Sequence, residues 1–209
     1  MILSIGVLPL KSKADIILHP VKYKDSITYE PLAEEAVIAL LAKELTYDLV
    51  DEKTKEFFDE MDDGYLYSES NFDEFDIETI KNSVEEKNEL ILGKDIFLHP
   101  RKENILKIAN LFKLAGFNVN ESIEDNEFDE IDELDTFDGS VVYVCDGAND
   151  EILVSNQFKI ANKINRDIIL VDNKEKKVIL DENLKGVFGV IFEQNNKYPF
   201  KRVKINWKK

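Results

Sequence analysis

Four short stretches of this chain are apolar almost without interruption: residues 1–10 (MILSIGVLPL), 14–19 (ADIILH), 89–98 (ELILGKDIFL) and 140–146 (SVVYVCD). None approaches the roughly 20 apolar residues needed to cross a bilayer, and none shows the clean alternation of a strand with one wet face. Such runs fit strands buried on both faces, as in a parallel sheet covered by helices. The intervening sequence agrees. Between residues 30 and 46 Leu32, Ala36, Ala39, Leu40 and Lys43 recur at three and four, with Pro31 near the first turn, where its missing N–H costs least. Between residues 100 and 115 Ile105, Ile108, Phe112 and Ala115 trace one helical face, and Gly116 ends it as a left-handed cap. A short strand is expected near 117–119. Strand, helix, strand in this order predicts right-handed crossovers and a largely parallel sheet.

Beyond residue 165 the texture changes. DIILVD, KKVILD, VFGVIF and KRVKINW are β-rich runs separated by NKEK, ENLKG and QNNKYP, spacings that suit antiparallel hairpins. The predicted architecture is therefore α/β, a mainly parallel sheet with flanking helices over residues 1–150, followed by a small β-rich part over 151–209, with 151–165 as the join. A chain of 209 residues, 44% apolar, has enough material for a real core. The start lacks the basic flank and cleavage site of a signal peptide, so a cytoplasmic protein without a membrane span is expected.

The net charge of −16 is unevenly placed. Residues 51–90 carry 15 acids and 4 lysines, and residues 121–138 carry 10 acids and no base, so the remainder nets about +5. These two stretches read as acidic insertions. Residues 53–61 and 76–87 could form surface helices separated by a turn at Asp63 and Gly64. Both stretches would repel a phosphate backbone, which argues against nucleic acid as a ligand. Charge of one sign could instead steer a basic partner. Phe128, Ile131, Leu134 and Phe137 recur every third position among the acids, as in a helix that docks on a partner or a short amphipathic surface segment. The tail YPFKRVKINWKK has the opposite bias, with five bases and no acid.

The chemistry-bearing motifs are few. Asp15 to Pro20 (DIILHP) and Asp95 to Pro100 (DIFLHP) agree at five of six positions and contain both histidines of the protein. His19 and His99 could therefore sit together at the carboxyl edge of the sheet, where ligand crevices form. The more ordinary reading makes each a strand-ending polar residue before a proline, with His99 a capping or packing residue near a helix start. Gly6 and Gly147 follow apolar strands and could let backbone approach a ligand or simply turn the chain. These four, Gly6, His19, His99 and Gly147, are the pocket candidates. The glycines form neither a dinucleotide fingerprint nor a phosphate loop. Cys145 ends the VVYVC run, where a small apolar packing role is expected. One cysteine and two histidines make no zinc or iron-sulfur ligand set, the acidic pairs lack calcium-loop spacing, and no carboxylate is marked as a general acid. No catalytic and no metal-ligating residue is predicted.

Read in order, ILSIGVLP with ADIILHPV at the start, ITYEPLAEEAVIALLAKEL at 27–45, DDGYLYSESNFDEFDIETI at 62–80, ILGKDIFLHPRKENILKIANLF at 91–112, and LKGVFGVI with YPFKRVKI near the end form a pattern spanning most of the chain. It resembles the carboxyl-terminal, molybdopterin-oxidoreductase-like region of the G-type subunit of bacterial NADH-quinone oxidoreductase (respiratory complex I), especially its divergent epsilonproteobacterial forms. The agreement is in order and texture. The resemblance implies an α/β domain followed by a β-rich part, a remnant of a molybdenum enzyme domain that has lost its cofactor. It also implies a structural or assembly role in the peripheral arm, with other peripheral-arm subunits as partners on the cytoplasmic side of the inner membrane. The amino-terminal half of the G-type subunit carries cysteine-ligated clusters. With Cys145 alone, none of those ligands carries over, so iron-sulfur clusters and FMN are expected only in partner subunits. The competing expectation is a stand-alone small-molecule-binding α/β domain with its pocket at the strand carboxyl ends. An acidic adaptor for a basic protein is a third.

Overall fold

The computed structural model describes residues 1–134, 137 and 139–207. It is α/β, with a four-stranded parallel sheet flanked by helices and a separate seven-stranded sheet in the carboxyl-terminal part. The chain divides into two units, Met1–Pro20 with Ser26–Asp135, and Val21–Asp25 with Thr136–Lys209. No helix among the described residues is long and apolar enough to cross a membrane.

In unit 1, strands β1 (Ile2–Ile5), β2 (Ile16–Leu18), β3 (Asn88–Leu92) and β4 (Phe117–Val119) lie in the order β2-β1-β3-β4, all parallel. The apolar runs predicted this: Leu3, Ile5, Leu18 and Leu90 are fully buried. Helix α1 (Glu34–Thr46) crosses from β2 toward β3 and is itself core, with Ala36 through Ala42 all buried. Its amphipathic spacing understates this, because helices pack on it from several sides.

The acidic stretch 51–90 holds helices near both expected positions, 53–61 and 76–87, with a third between them. It forms α2 (Glu52–Glu60), α3 (Asp63–Ser70) and α4 (Glu74–Asn82) before entering β3. Each starts on an aspartate cap: the side chains of Asp51, Asp62 and Asp73 accept from the backbone N–H of Thr54, Tyr65 and Asp76. Each buries an apolar stripe, including Phe58, Leu66, Ile77 and Ile80. The expected Asp63–Gly64 turn is instead the first turn of α3. The acids there complement the positive helix end, which a reading of Asp-Gly as a turn overlooks.

After β3 come a one-turn helix α5 (Lys94–Phe97), α6 (Lys102–Asn110) and a 3-10 turn, Leu111–Lys113. Gly116 then takes φ +81°, the left-handed cap foreseen. The second copy of the echoed hexapeptide is thus largely helical, whereas the first is strand β2. The acidic segment after β4 runs without regular structure through 124–134, and Phe128, Ile131 and Leu134 pack partly buried against the unit 1 core. Of the two readings of the Phe128–Phe137 series, the chain shows through Leu134 a short amphipathic segment without helix; residues 135, 136 and 138 lie outside the described residues.

Unit 2 begins earlier than the expected join. Strand β5 (Val141–Cys145) is buried along its whole length, yet it pairs with β9 (Phe188–Phe192) and β10 (Phe200–Arg202) in the second sheet. A continuous apolar run specifies two covered faces and not which sheet supplies them. Residues 151–165 are no linker: they contain β6 (Glu151–Val154) and α7 (Asn156–Ala161), which buries Phe158. The sheet order is β10-β5-β9-β6-β8-β7-β11, with β7 (Ile168–Val171), β8 (Lys174–Leu180) and β11 (Ile205–Asn206) completing it. Among the described residues the expected run of tight antiparallel hairpins is realised once, in β7–β8. There Asp172 and Asn173 take φ +49° and +67°, a two-residue turn whose twist suits a hairpin. By contrast β5–β9 and β6–β8 are parallel.

Candidate functional site

In a parallel sheet of order β2-β1-β3-β4 the connections leave in opposite directions from β1 and β3. A ligand crevice opens by default at that switch point, beyond the strands' carboxyl ends. Here the position is filled by the chain itself. Gly93 N donates to Ile5 O at 2.8 Å, and Asp95 N to Gly6 O at 3.3 Å. The two loops touch so closely that a Cβ on Gly93 would fall 2.1 Å from Gly6 O. Gly6 turns at φ +70°, and a Cβ there would meet Ile96 Cγ1 at 3.1 Å. Helix α5 is thereby pressed into the crevice.

His19, directly after β2, is fully buried, and its Nε2 lies 2.9 Å from Asp95 Oδ2. The histidine of one echo thus engages the aspartate of the other and ties the end of β2 to α5. A buried His–Asp contact resembles part of an acid–base relay, but both groups face protein, with 0% and 1% of their surfaces exposed. His99 follows α5 and is held separately. Arg101 N donates to His99 Nδ1 at 3.0 Å, and His99 Nε2 donates to Leu32 O at 3.2 Å with Glu34 Oε2 at 3.5 Å. This pattern is that of a neutral imidazole. Burial pushes its pKa down to about 4; the Leu32 bond opposes this and the Arg101 charge adds to it. Gly6 and His19 therefore meet at the sheet edge through α5, while His99 braces the segment before α1.

Gly147 belongs to unit 2. It follows β5, and a Cβ there would lie 3.0 Å from Phe192 Cβ, so close packing on β9 explains the glycine. It lines an open depression of about 550 Å³ with Asn149, Asp150, Lys174, Lys176 and Glu193. Lys176, only 3% exposed, donates to Asn149 O at 3.1 Å and lies 3.4 Å from Glu193 Oε1. Lys174 approaches the same oxygen at 3.2 Å, and Lys201 lies 3.9 Å from Oε2. Burial works to raise the Glu193 pKa, but the Lys174 hydrogen bond and the charges of all three lysines outweigh it and hold the carboxyl below its ordinary range. Cys145 is buried in β5. Among the described residues no group of three or more His, Cys, Asp or Glu is arranged to hold a metal ion.

A third arrangement was not anticipated. Glu35, one residue into α1 and 3% exposed, accepts from Arg101 Nε at 3.0 and 3.2 Å and from Asn104 Nδ2 at 2.6 Å. Burial raises its pKa despite these bonds. Asn104 also clamps the 124–134 segment as a β partner would: its Oδ1 accepts from Asp129 N at 2.8 Å and its Nδ2 donates to Asp129 O at 3.0 Å. Lys107 Nζ reaches Glu127 O at 2.8 Å, Arg101 Nη2 donates to Glu130 O, and Leu134 N donates to Tyr65 OH at 3.1 Å. The acidic segment is thus a strap held by three polar residues of one face of α6 and its N-cap. An acid inside the apolar α1 pattern was the one sequence signal for this network.

Comparison with protein-family models, curated proteins and solved structures finds no match.

Proposed function

We propose that the chain is a non-catalytic structural or assembly piece of the peripheral arm of a quinone reductase of the complex I type, a counterpart of the molybdopterin-oxidoreductase-like region of its G-type subunit. The ordered resemblance of its segments motivates this reading. The observation that carries it is the filled switch point: helix α5 and the Gly6–Gly93 contact take up the place where an enzyme of this topology would hold its ligand. Redox chemistry then belongs to partner subunits carrying iron-sulfur clusters and FMN, and the chain resides in the cytoplasm or on the cytoplasmic side of the inner membrane through those partners. Affinity isolation of the tagged chain from native membranes should recover other peripheral-arm subunits. Repeated isolation without any of them would sink the reading.

The alternative, a small-molecule-binding domain, is favoured by one feature, the depression at the carboxyl ends of β5 and β9 with its buried Lys176. It predicts that anionic metabolites raise the melting temperature of the chain and that Lys176→Met abolishes the rise. A screen without any such shift removes it.

A further inference from the structure

Unit 1 carries a groove between α2 and α3 on one side and residues 126–131 of the strap on the other. Its volume is about 630 Å³. Phe57, Met61, Tyr65, Leu66, Phe128 and Ile131 supply the apolar lining. Around them stand Glu56, Glu60, Asp62, Glu127 and Glu130, all exposed, against one cation among the described lining residues, Lys53, which lies 3.5 Å from Glu127. The walls are already formed. The Phe57 and Phe128 rings pack at 4.8 Å between centroids, and the strap is fixed from beneath by Arg101, Asn104 and Lys107.

We propose that this groove docks a lysine- and arginine-rich amphipathic helix of a partner protein. An apolar floor inside an acidic rim selects apolar side chains flanked by cations, and charge of one sign on the rim guides their approach. The occupant is helical because the strap offers no strand edge: the carbonyls of Glu127, Asp129 and Glu130 and the N–H groups of Glu127 and Asp129 are engaged within unit 1. An extended peptide would gain little backbone pairing there, whereas a helix satisfies its own backbone and presents apolar residues one turn apart. This inference names the partner chemistry of the assembly reading and rests on it only in requiring a protein partner.

The test uses the full chain and a labelled helical peptide of leucine and lysine, with leucines at i, i+3, i+4 and i+7, followed by fluorescence anisotropy. Saturable binding that weakens with salt is expected. The charge-reversed variant Glu56→Lys/Glu60→Lys/Glu130→Lys should bind at least tenfold more weakly, and Met61→Gln severalfold. A control, Glu74→Lys/Glu78→Lys/Glu86→Lys, changes the net charge equally outside the groove and should bind within twofold of the parent; circular dichroism verifies each fold, and Met61→Gln serves should the triple variant not fold. Absence of saturable binding, equal losses in both triple variants, or equal binding of a peptide with scrambled leucines would each overturn the proposal. Self-association of the chain that Met61→Gln abolishes would also overturn it, by assigning the groove to a second copy. A failed peptide experiment leaves co-purification with peripheral-arm subunits standing, and failed co-purification leaves the peptide result standing.

Discussion

Gly93 shows how one residue closes the sheet edge. Its backbone, at φ −88° and ψ 179°, is open to any residue, so conformation does not require glycine; space does. A Cβ would collide with backbone that no side-chain rotation can move. Gly93→Ala is therefore expected to cost about 3 kcal/mol, the upper part of the overpacking range. A urea titration checks it, and a loss under about 1 kcal/mol would contradict the contact. His99 carries a pH dependence of definite sign. Its folded pKa, about 4, lies below the unfolded value of 6.5, so between them the unfolded chain binds the extra proton. The stability it contributes is complete above pH 6.5 and is lost as pH falls toward 4, by up to roughly 3 kcal/mol. Glu30 and Glu35, with raised folded values from burial, act in the opposite sense. Comparing urea unfolding of the parent and His99→Gln at pH 7 and pH 5 isolates the histidine: the variant should show the smaller fall.

Among the elements, the strap depends most on contacts distant in sequence. Asn104 is 2% exposed and serves both Glu35 and the backbone of Asp129. Asn104→Ala would leave buried polar groups short of partners, at about 1–3 kcal/mol for each group left unsatisfied. The expected outcome is a destabilisation of about 2–3 kcal/mol with faster amide exchange at Asp129, read by hydrogen exchange. Protection of Asp129 equal to the parent's would show that the apolar contacts of Phe128 and Ile131 hold the strap without the amide. The period of three in Phe128, Ile131 and Leu134 signalled burial on one side. It did not distinguish a helix from an extended chain, because the donors and acceptors that decide between them sit on α6 and Arg101.

For the whole molecule, charge is the property that acts across the fold. With a net charge of −16, repulsion among carboxylates opposes compaction, and raising ionic strength shortens its range to about 10 Å at 0.1 M. The melting temperature should therefore rise by a few degrees between ~0.01 M and ~0.2 M sodium chloride, measured by calorimetry. A fall would mean that paired contacts such as Arg101–Glu35 outweigh the repulsion. The unit boundary also belongs to this scale. Val21–Asp25 contributes to unit 2 through the bridge of Tyr23 with Leu184 and the bond from Lys24 N to Asn183 O, although it lies between β2 and α1 in sequence.

The sequence by itself determined where β1, β2, β3 and the helical face of α6 lie, because residues 1–10, 14–19 and 89–98 are largely apolar and 105–115 keeps a helical period, though it did not show that 94–97 leaves the strand for helix α5. Those are local properties, set by which faces must leave water. It also determined the absence of a cysteine ligand set, since composition limits that chemistry wherever the chain goes. Only the tertiary structure decided the rest. The nearly identical hexapeptides 15–20 and 95–100 became strand and helix because β1 pairs with the first, while the Gly6–Gly93 contact turns the second across the sheet edge. SVVYVCD became a strand of the second sheet because β9 and β10 supply its partners. In each case the deciding interaction joins the segment to neighbours that its own residues do not name, and hydrogen bonds and close packing then select among conformations of similar local energy.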